Sequence, residues 1–293
     1  MTDVVHVIGA SGRSGRALTQ ALLADGRLVV PVVRNPDKWD ALGFRLPPRQ
    51  ADLHSPDTVR TALADAVAVV SCAHARHAGT ILAASPPGAR FVFLGSTRKF
   101  TRWPDAHGNG VLAGEAAFLA SGRPGIMLHP TMIYGAQGED NVQRLAALIR
   151  RMPLFPLPGG GRFLVQPIHQ GDVTRAILAA LARPWPAPTT IVIAGPAPLP
   201  YADFVCEVAA AAGLRRPRIL PFPAAPLIAA ARFTRHVTAL PRIEPEEIRR
   251  LLEDKAFDIA EMRAQLGIEP IPLRQGLALT FGAQHNHAST AGA

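Results

Sequence analysis

The sequence predicts an α/β fold, a doubly wound parallel sheet followed by a smaller C-terminal α/β lobe. Two observations predict it. Short apolar runs alternate with longer amphipathic stretches through the first half of the chain. Those runs are apolar throughout rather than at every second residue, as strands are when both faces of a parallel sheet are covered.

The elements follow in order. Residues 4–8 (VVHVI) read as a buried strand, and residues 15–24 have helical spacing through Leu18, Leu22 and Leu23. Residues 28–33 (LVVPVV) are a second strand, in which Pro31 calls for an edge or irregular position because it has no N–H for the ladder. The rhythm continues with a helix over 56–64, a strand over 66–71, a helix over 79–84, a strand over 91–94 (FVFL), a helix over 111–120 and a strand over 126–129 (IMLH). Beyond Tyr134 the pattern loosens. It gives helices over 141–151, 172–182 and 201–212, a strand over 190–193, a Pro/Gly loop over 153–161 and a charged helix over 244–252. Residues 1–135 thus form a core, residues 136–282 add core elements interleaved with the smaller lobe, and residues 283–293 are a small, polar, frayed tail. Segment 221–232 is apolar enough for a core helix or a homodimer face, and lacks the lysine-rich side of a membrane-surface helix.

Composition narrows the function. The chain has 293 residues, 48% of them hydrophobic and 18% charged, enough to bury a sizeable core. The net charge of +9 is spread evenly, +5 over residues 1–130 (14 basic, 9 acidic) and +4 over the rest (17 and 13), with no basic stripe and no interleaved aromatics. Nucleic-acid binding is therefore not expected. No apolar stretch approaches the roughly 20 residues of a spanning helix, and a polar, arginine-bearing segment stands where a signal peptide would be apolar. Cys72 and Cys206 are isolated, so neither a disulfide scaffold nor a metal site is expected, and a reducing cytoplasm fits.

Chemistry concentrates in Gly9-Ala10-Ser11-Gly12-Arg13-Ser14-Gly15, between the first strand and the first helix. Glycines there allow a tight turn and let the backbone approach a pyrophosphate, while the helix N-terminus offers free amides. Gly9, Ser11, Gly12, Arg13, Ser14 and Gly15 are accordingly expected to hold a dinucleotide. The end of the second strand sets cofactor choice: a carboxylate there bonds the ribose 2′-hydroxyl, an arginine a 2′-phosphate. It carries Arg34, with Arg13 a second cation on the same side, so NADP(H) is favoured and NAD(H) remains an alternative. Asp52 and Leu53 are expected near the adenine, with support of the following helix as Asp52's other role; Ala73 and Pro130, at the ends of later strands, complete the expected cofactor set.

With these residues in hand, the chain is similar to the extended and atypical branches of the short-chain dehydrogenase/reductase superfamily. The landmarks are the GxxGxxG turn, Ala51-Asp52-Leu53, residues 91–97 (FVFLGST), 129–135 (HPTMIYG), 166–173 (QPIHQGDV), 193–196 (IAGP) and 266–276. The later ones resemble nucleotide-sugar epimerases and NmrA-like proteins. The resemblance implies a Rossmann fold, with the smaller lobe on the substrate side, and hydride-transfer chemistry on a small carbonyl or nucleotide-sugar-like compound.

The superfamily's chemistry uses a Tyr-x-x-x-Lys pair, whose phenol moves a proton while the ammonium lowers its pKa. The chain holds 2 tyrosines, and the residue four places after Tyr134 is Gly138, that after Tyr201 Val205, so the pair is absent. Counted back from Glu115, which resembles a glutamate following the motif, its places fall on His107 and Val111. Ser96 resembles the hydroxyl residue that orients a substrate carbonyl, and Ser96, His107 and Tyr134 are the catalytic candidates. Lys99 and Arg98 lie nearby, and Asp172 is expected to cap the helix beginning at Val173. Loss of the pair also admits a different class of function, a dinucleotide-binding regulator or accessory subunit, NmrA-like or complex I accessory-like, that has no reaction.

Overall fold

The computed structural model describes residues 4–136, 140–152, 154–234 and 245–290. The first half alternates β1 (Val5–Ile8), α1 (Arg13–Ala24), β2 (Val29–Val33), α2 (Pro36–Asp40), β3 (Arg49–Gln50), α3 (Pro56–Ala62), β4 (Ala68–Ser71), α4 (Ala78–Ala84), β5 (Arg90–Leu94), α5 (Ala106–Ser121) and β6 (Gly125–Pro130). The second half begins with β7 (Ile133–Tyr134), α6 (Asn141–Arg151), β8 (Leu154–Pro158), β9 (Leu164–Val165), β10 (Ile168–His169), α7 (Gln170–Leu181) and β11 (Pro188–Ile193). It ends with β12 (Leu199–Pro200), α8 (Tyr201–Ala211), β13 (Arg218–Phe222), α9 (Ala224–Thr234), α10 (Pro245–Arg250), α11 (Ala260–Leu266) and α12 (Leu273–Thr290).

Among the described residues one seven-stranded sheet runs in the order β11-β6-β5-β4-β1-β2-β3, every neighbouring pair parallel. Strand order reverses between β1 and β4, where the loops leaving the sheet diverge and open a crevice at its C-terminal edge. One face buries Leu18 and Leu22 of α1, Trp39, Val173 and Ile177 of α7, and Met262 and Leu266 of α11. The other buries Val59, Ile81, Val111 and Phe118 from α3, α4 and α5. A third cluster, with Tyr134, Ile149, Phe155, Phe204, Val208 and Leu277, is the core of the smaller lobe.

Pro31 lies inside β2 without breaking it. The bonds Val5 N to Leu28 O, Gly9 N to Val32 O and Ala51 N to Val33 O show that even-numbered residues of β2 face β1 and odd-numbered ones the outer side. Pro31 therefore turns its bare nitrogen outward, where β3 does not yet run, since that strand pairs only with Val32 and Val33. The short α2, capped by Asn35 accepting from Lys38 N, and β3 are additions to the expected order.

Several expectations are corrected. The helix expected from Val111 starts at Ala106, with Asp105 Oδ1 capping Gly108 N at 2.7 Å. Two glycines of this helix serve packing: a Cβ on Gly114 would stand 1.9 Å from Ala75 O, and one on Gly108 2.9 Å from Arg98 O. The expected Pro/Gly loop is mostly strand β8, paired in parallel with β13; Pro153 itself lies outside the described residues. Pro156 and Pro158, two apart, place their missing N–H groups on one edge, which a two-stranded pair tolerates. Asp172 is not a cap. His169 caps α7 by accepting from Gly171 N, and the fully buried Asp172 carboxylate accepts from Ile271 N at 2.9 Å and pairs with Arg175. Segment 221–232 splits between β13 and α9, and residues 221–229 are exposed or half-buried, so it is not a core helix. The expected tail is helical through Thr290 in α12, with residues 291–293 outside the described residues, as is Glu244 before α10.

Candidate active site

The glycine turn forms a cradle at the β1 end. Gly9 has φ +75°, a left-handed conformation suited to glycine, and its carbonyl accepts from Gly12 N at 2.9 Å. A Cβ on Gly15 would stand 2.2 Å from Gly9 O and one on Gly12 3.1 Å from it, so the backbone closes on itself as tightly as a bound pyrophosphate requires. Gly12 caps α1 without a side chain, leaving the first-turn amides for a ligand. Ser14 Oγ donates to Gln170 Oε1 of α7 at 3.1 Å, tying the cradle to the neighbouring helix. Ala73 follows β4 directly beside it: a Cβ on Gly9 would meet Ala73 N at 3.2 Å. These features fit a dinucleotide.

Farther along the same edge, the Arg34 guanidinium after β2 makes no hydrogen bond among the described residues, and Gln50 donates to the Arg34 carbonyl. Arg13 pairs with Asp140 at 3.2 Å, both side chains half exposed. Asp52 accepts from His54 N at 3.0 Å and lies 3.1 Å from its ring, contacts that hold its carboxyl below the usual range. Ser55 stands at the N-cap of α3, without a side-chain capping bond, so Asp52 shapes the turn before that helix rather than occupying its cap, and Leu53 packs onto the α3–α5 face. The Pro130 carbonyl, in β6, accepts from Thr97 Oγ1 at 3.2 Å.

Ser96 lies two residues beyond the end of β5. Its hydroxyl accepts from Arg98 N at 3.1 Å, and its own N–H donates to His129 Nδ1 at 3.2 Å. Nδ1 is therefore unprotonated, and the ring proton sits on Nε2, 3.3 Å from Glu115 Oε1. Lys99 Nζ donates to the same oxygen, and burial together with that ammonium holds the His129 pKa well below its usual value. Gly95 leaves the room: a Cβ there would stand 2.3 Å from His129 Nδ1. The sequence singled out Lys99 and Glu115 separately, but their joint role with His129 was missed, because the three come from different elements.

His107 is on the first turn of α5, edge to face with His74 at 4.4 Å, and burial followed by Arg98 lowers its pKa. Val111 lies in the core, 1% exposed. Tyr134 is also 1% exposed, and its hydroxyl has no hydrogen-bond partner; burial raises the phenol pKa. Gly276 of α12 covers that hydroxyl, with a Cβ there only 2.1 Å from it. Tyr134→Phe is accordingly expected to raise stability by about 1 kcal/mol, since it removes an unsatisfied buried oxygen, and to leave turnover intact; thermal melts and rates check both.

A cavity of about 580 Å³ opens beside Ser96 and Thr97. Met132, Leu145, Leu148, Phe155, Leu157 and Phe257 give it a largely apolar wall, and Glu253 and Lys255 lie among its polar lining. Of the three catalytic candidates the structure places Ser96 on this cavity, while His107 and Tyr134 do not line it.

Residues 9–107, the stretch that holds the cradle and Arg34, match the NAD(P)H-binding family model. The fold is shared with a short-chain dehydrogenase/reductase superfamily protein from Agrobacterium tumefaciens with bound NAD: TM-score 0.70, 17% identity, 98% of this chain and 99% of that one. The chain carries an NAD(P)H-binding domain. The same fold is that of the NADPH-dependent quinone oxidoreductase QOR2 from Escherichia coli complexed with NADPH: TM-score 0.72, 17% identity, 96% of this chain and 100% of that one. In sequence the chain is similar to the uncharacterized protein Rv2047c of Mycobacterium tuberculosis, 29% identical over 227 residues, 73% of this chain. It spans about a quarter of the length of the curated relatives it matches. Among the described residues no helix is long and apolar enough to cross a membrane, and no cluster of acidic, histidine or cysteine residues could hold a metal ion.

Proposed function

We propose that the chain is an NADP(H)-dependent oxidoreductase acting on a small carbonyl compound with a largely apolar body. The observation that carries this reading is the apolar cavity opening beside Ser96 at the C-terminal edge of the sheet. When bound, the nicotinamide supplies or accepts hydride. The glycine cradle, Ala73 and Pro130 hold the dinucleotide, with Asp52 and Leu53 toward its adenine. The Ser96 hydroxyl, on the cavity wall and fixed by Arg98 N, hydrogen-bonds the substrate oxygen. The walls from α6 and β8 exclude water and bind the hydrocarbon part. Free Cys72 and Cys206 are consistent with work in a reducing cytoplasm.

Arg34 and Arg13 select NADP(H). The Arg13–Asp140 pair has half-exposed side chains, and an ion pair so exposed is worth little. Arg34→Asp is expected to weaken NADPH by about 10- to 100-fold, the worth of charge-assisted bonds to one phosphate, while NADH changes little. Fluorescence titration with both cofactors tests this, and equal losses would remove Arg34 from the site. Turnover is tested with NADPH and a panel of ketones, quinones and nucleotide sugars. The buried Val111, at a place where the superfamily's lysine is expected, favours a second reading, a dinucleotide-binding protein with no reaction. Tight NADPH binding with no turnover across the panel selects that reading.

A further inference from the structure

Part of the cavity wall is a short segment, residues 253–257, held by several hydrogen bonds. Glu253, 6% exposed, accepts from Thr101 Oγ1 at 2.8 Å and Arg102 N at 2.9 Å, which fastens it to the loop after β5. Asp254 Oδ1 accepts from Leu164 N at 2.8 Å, Lys255 N donates to Leu164 O at 2.9 Å, and Phe257 N donates to Gln166 Oε1 at 2.7 Å. The Phe257 ring packs on Phe100, 5.7 Å between centroids. Lys255 is thereby fixed from both sides on the cavity wall. One of its three N–H bonds goes to Arg250 O at the end of α10, and the Glu253 carboxylate, at 3.9 Å, is beyond hydrogen-bond reach. The other donors have no partner among the described residues.

We propose that Lys255 is the proton donor of this cavity, giving an ammonium proton to the carbonyl oxygen of the substrate. The assignment rests on the oxidoreductase reading. In the reductive direction the carbonyl carbon accepts hydride from NADPH, and the C=O π pair moves onto oxygen. That oxygen takes the proton from Nζ, the N–H bond breaks, and a neutral amine remains that water reprotonates through the 29% of the side chain that is exposed. The groups facing Nζ suit this task. Burial, Arg250 and Arg98 lower its pKa, Glu253 opposes them, and the result is about 8, where an ammonium is present at neutral pH yet readily released. The transfer needs a neutral carbonyl whose oxygen becomes negative as hydride arrives, so ketones, enones and quinones are the substrates expected.

The test uses the scarcity of lysine, since the full chain has only Lys38, Lys99 and Lys255. Protein labelled with 13C at lysine Cε gives three resonances, assigned by single Lys→Arg replacements, and the Lys255 signal is expected to titrate near pH 8. With NADPH and a ketone that the wild type reduces, Lys255→Met is expected to lower kcat at least ~100-fold with NADPH affinity unchanged. Lys255→Arg restores charge without an available proton and stays low; wild-type kcat falls as pH rises through the Lys255 titration. Lys255→Gln keeps a donor for Arg250 O, so a rate loss shared by a well-folded Gln variant is chemical rather than structural. A Lys255 titration above pH 10, or a Met variant with undiminished kcat, overturns the assignment while leaving the oxidoreductase reading intact. A wild type that binds NADPH and reduces nothing in the panel overturns both.

Discussion

Glu115→Ala is expected to lower stability by about 3–5 kcal/mol, because it leaves a buried charge unpaired. The Lys99 side chain is 10% exposed, and its ammonium has the Glu115 carboxylate as counter-ion; His129 Nε2–H faces the same oxygen. Removing the carboxylate strands both. A double variant, Lys99→Met with Glu115→Leu, should recover most of the loss, since an apolar pair of similar volume replaces an ion pair at little cost. Thermal melts of the single and double variants measure the difference. Ser96 should report it too, because its N–H is held by the His129 ring. The triad also sets a pH dependence. His129 is held neutral in the fold, so below about pH 6.5 the unfolded chain binds a proton that the folded one refuses. Stability is therefore expected to fall as pH drops below that value.

Gly15→Ala is expected to weaken NADPH by roughly 100-fold, the worth of two charge-assisted amide–phosphate bonds. The added methyl would lie 2.2 Å from Gly9 O, 2.8 Å from Gly9 C and 2.9 Å from Ala10 Cα, all backbone atoms that cannot swing aside. The start of α1 has to retreat from the end of β1, which spreads the cradle and costs about 1–3 kcal/mol of packing. Gly12→Ala, whose Cβ meets a single atom at 3.1 Å, is the graded control and should lose less on both counts. Equal behaviour of the two variants would mean that the turn does not close on the cofactor.

The parts of this fold that were legible are those whose cause is local. β1 and β4 read as strands because both faces of a parallel sheet are buried, so the runs are apolar without alternation. The glycine turn was legible because its shape is dictated by seven consecutive residues. The start of α5 was not, since Gly108 answers to the carbonyl of Arg98, which a helix-forming tendency does not register. Ser96 was found from its place after a strand. Tyr134 was chosen by residue type, and only the fold shows α12 laid across its hydroxyl. Lys255 had no local signal at all: its segment is secured by Leu164 and Gln166, some 90 residues earlier, and by Thr101, about 150 residues earlier.

The two faces of the sheet are finished at different points along the chain. Every buried residue of the α3–α5 face lies between Ile8 and Met127, whereas the opposite face also needs Val173 and Ile177 of α7 and Met262 and Leu266 of α11. A chain leaving the ribosome N-terminus first can therefore seal one side of its early strands while Leu18 and Leu22 of α1 still wait for partners not yet synthesised. Until α7 emerges, the nascent protein presents water with one closed surface and one open apolar one.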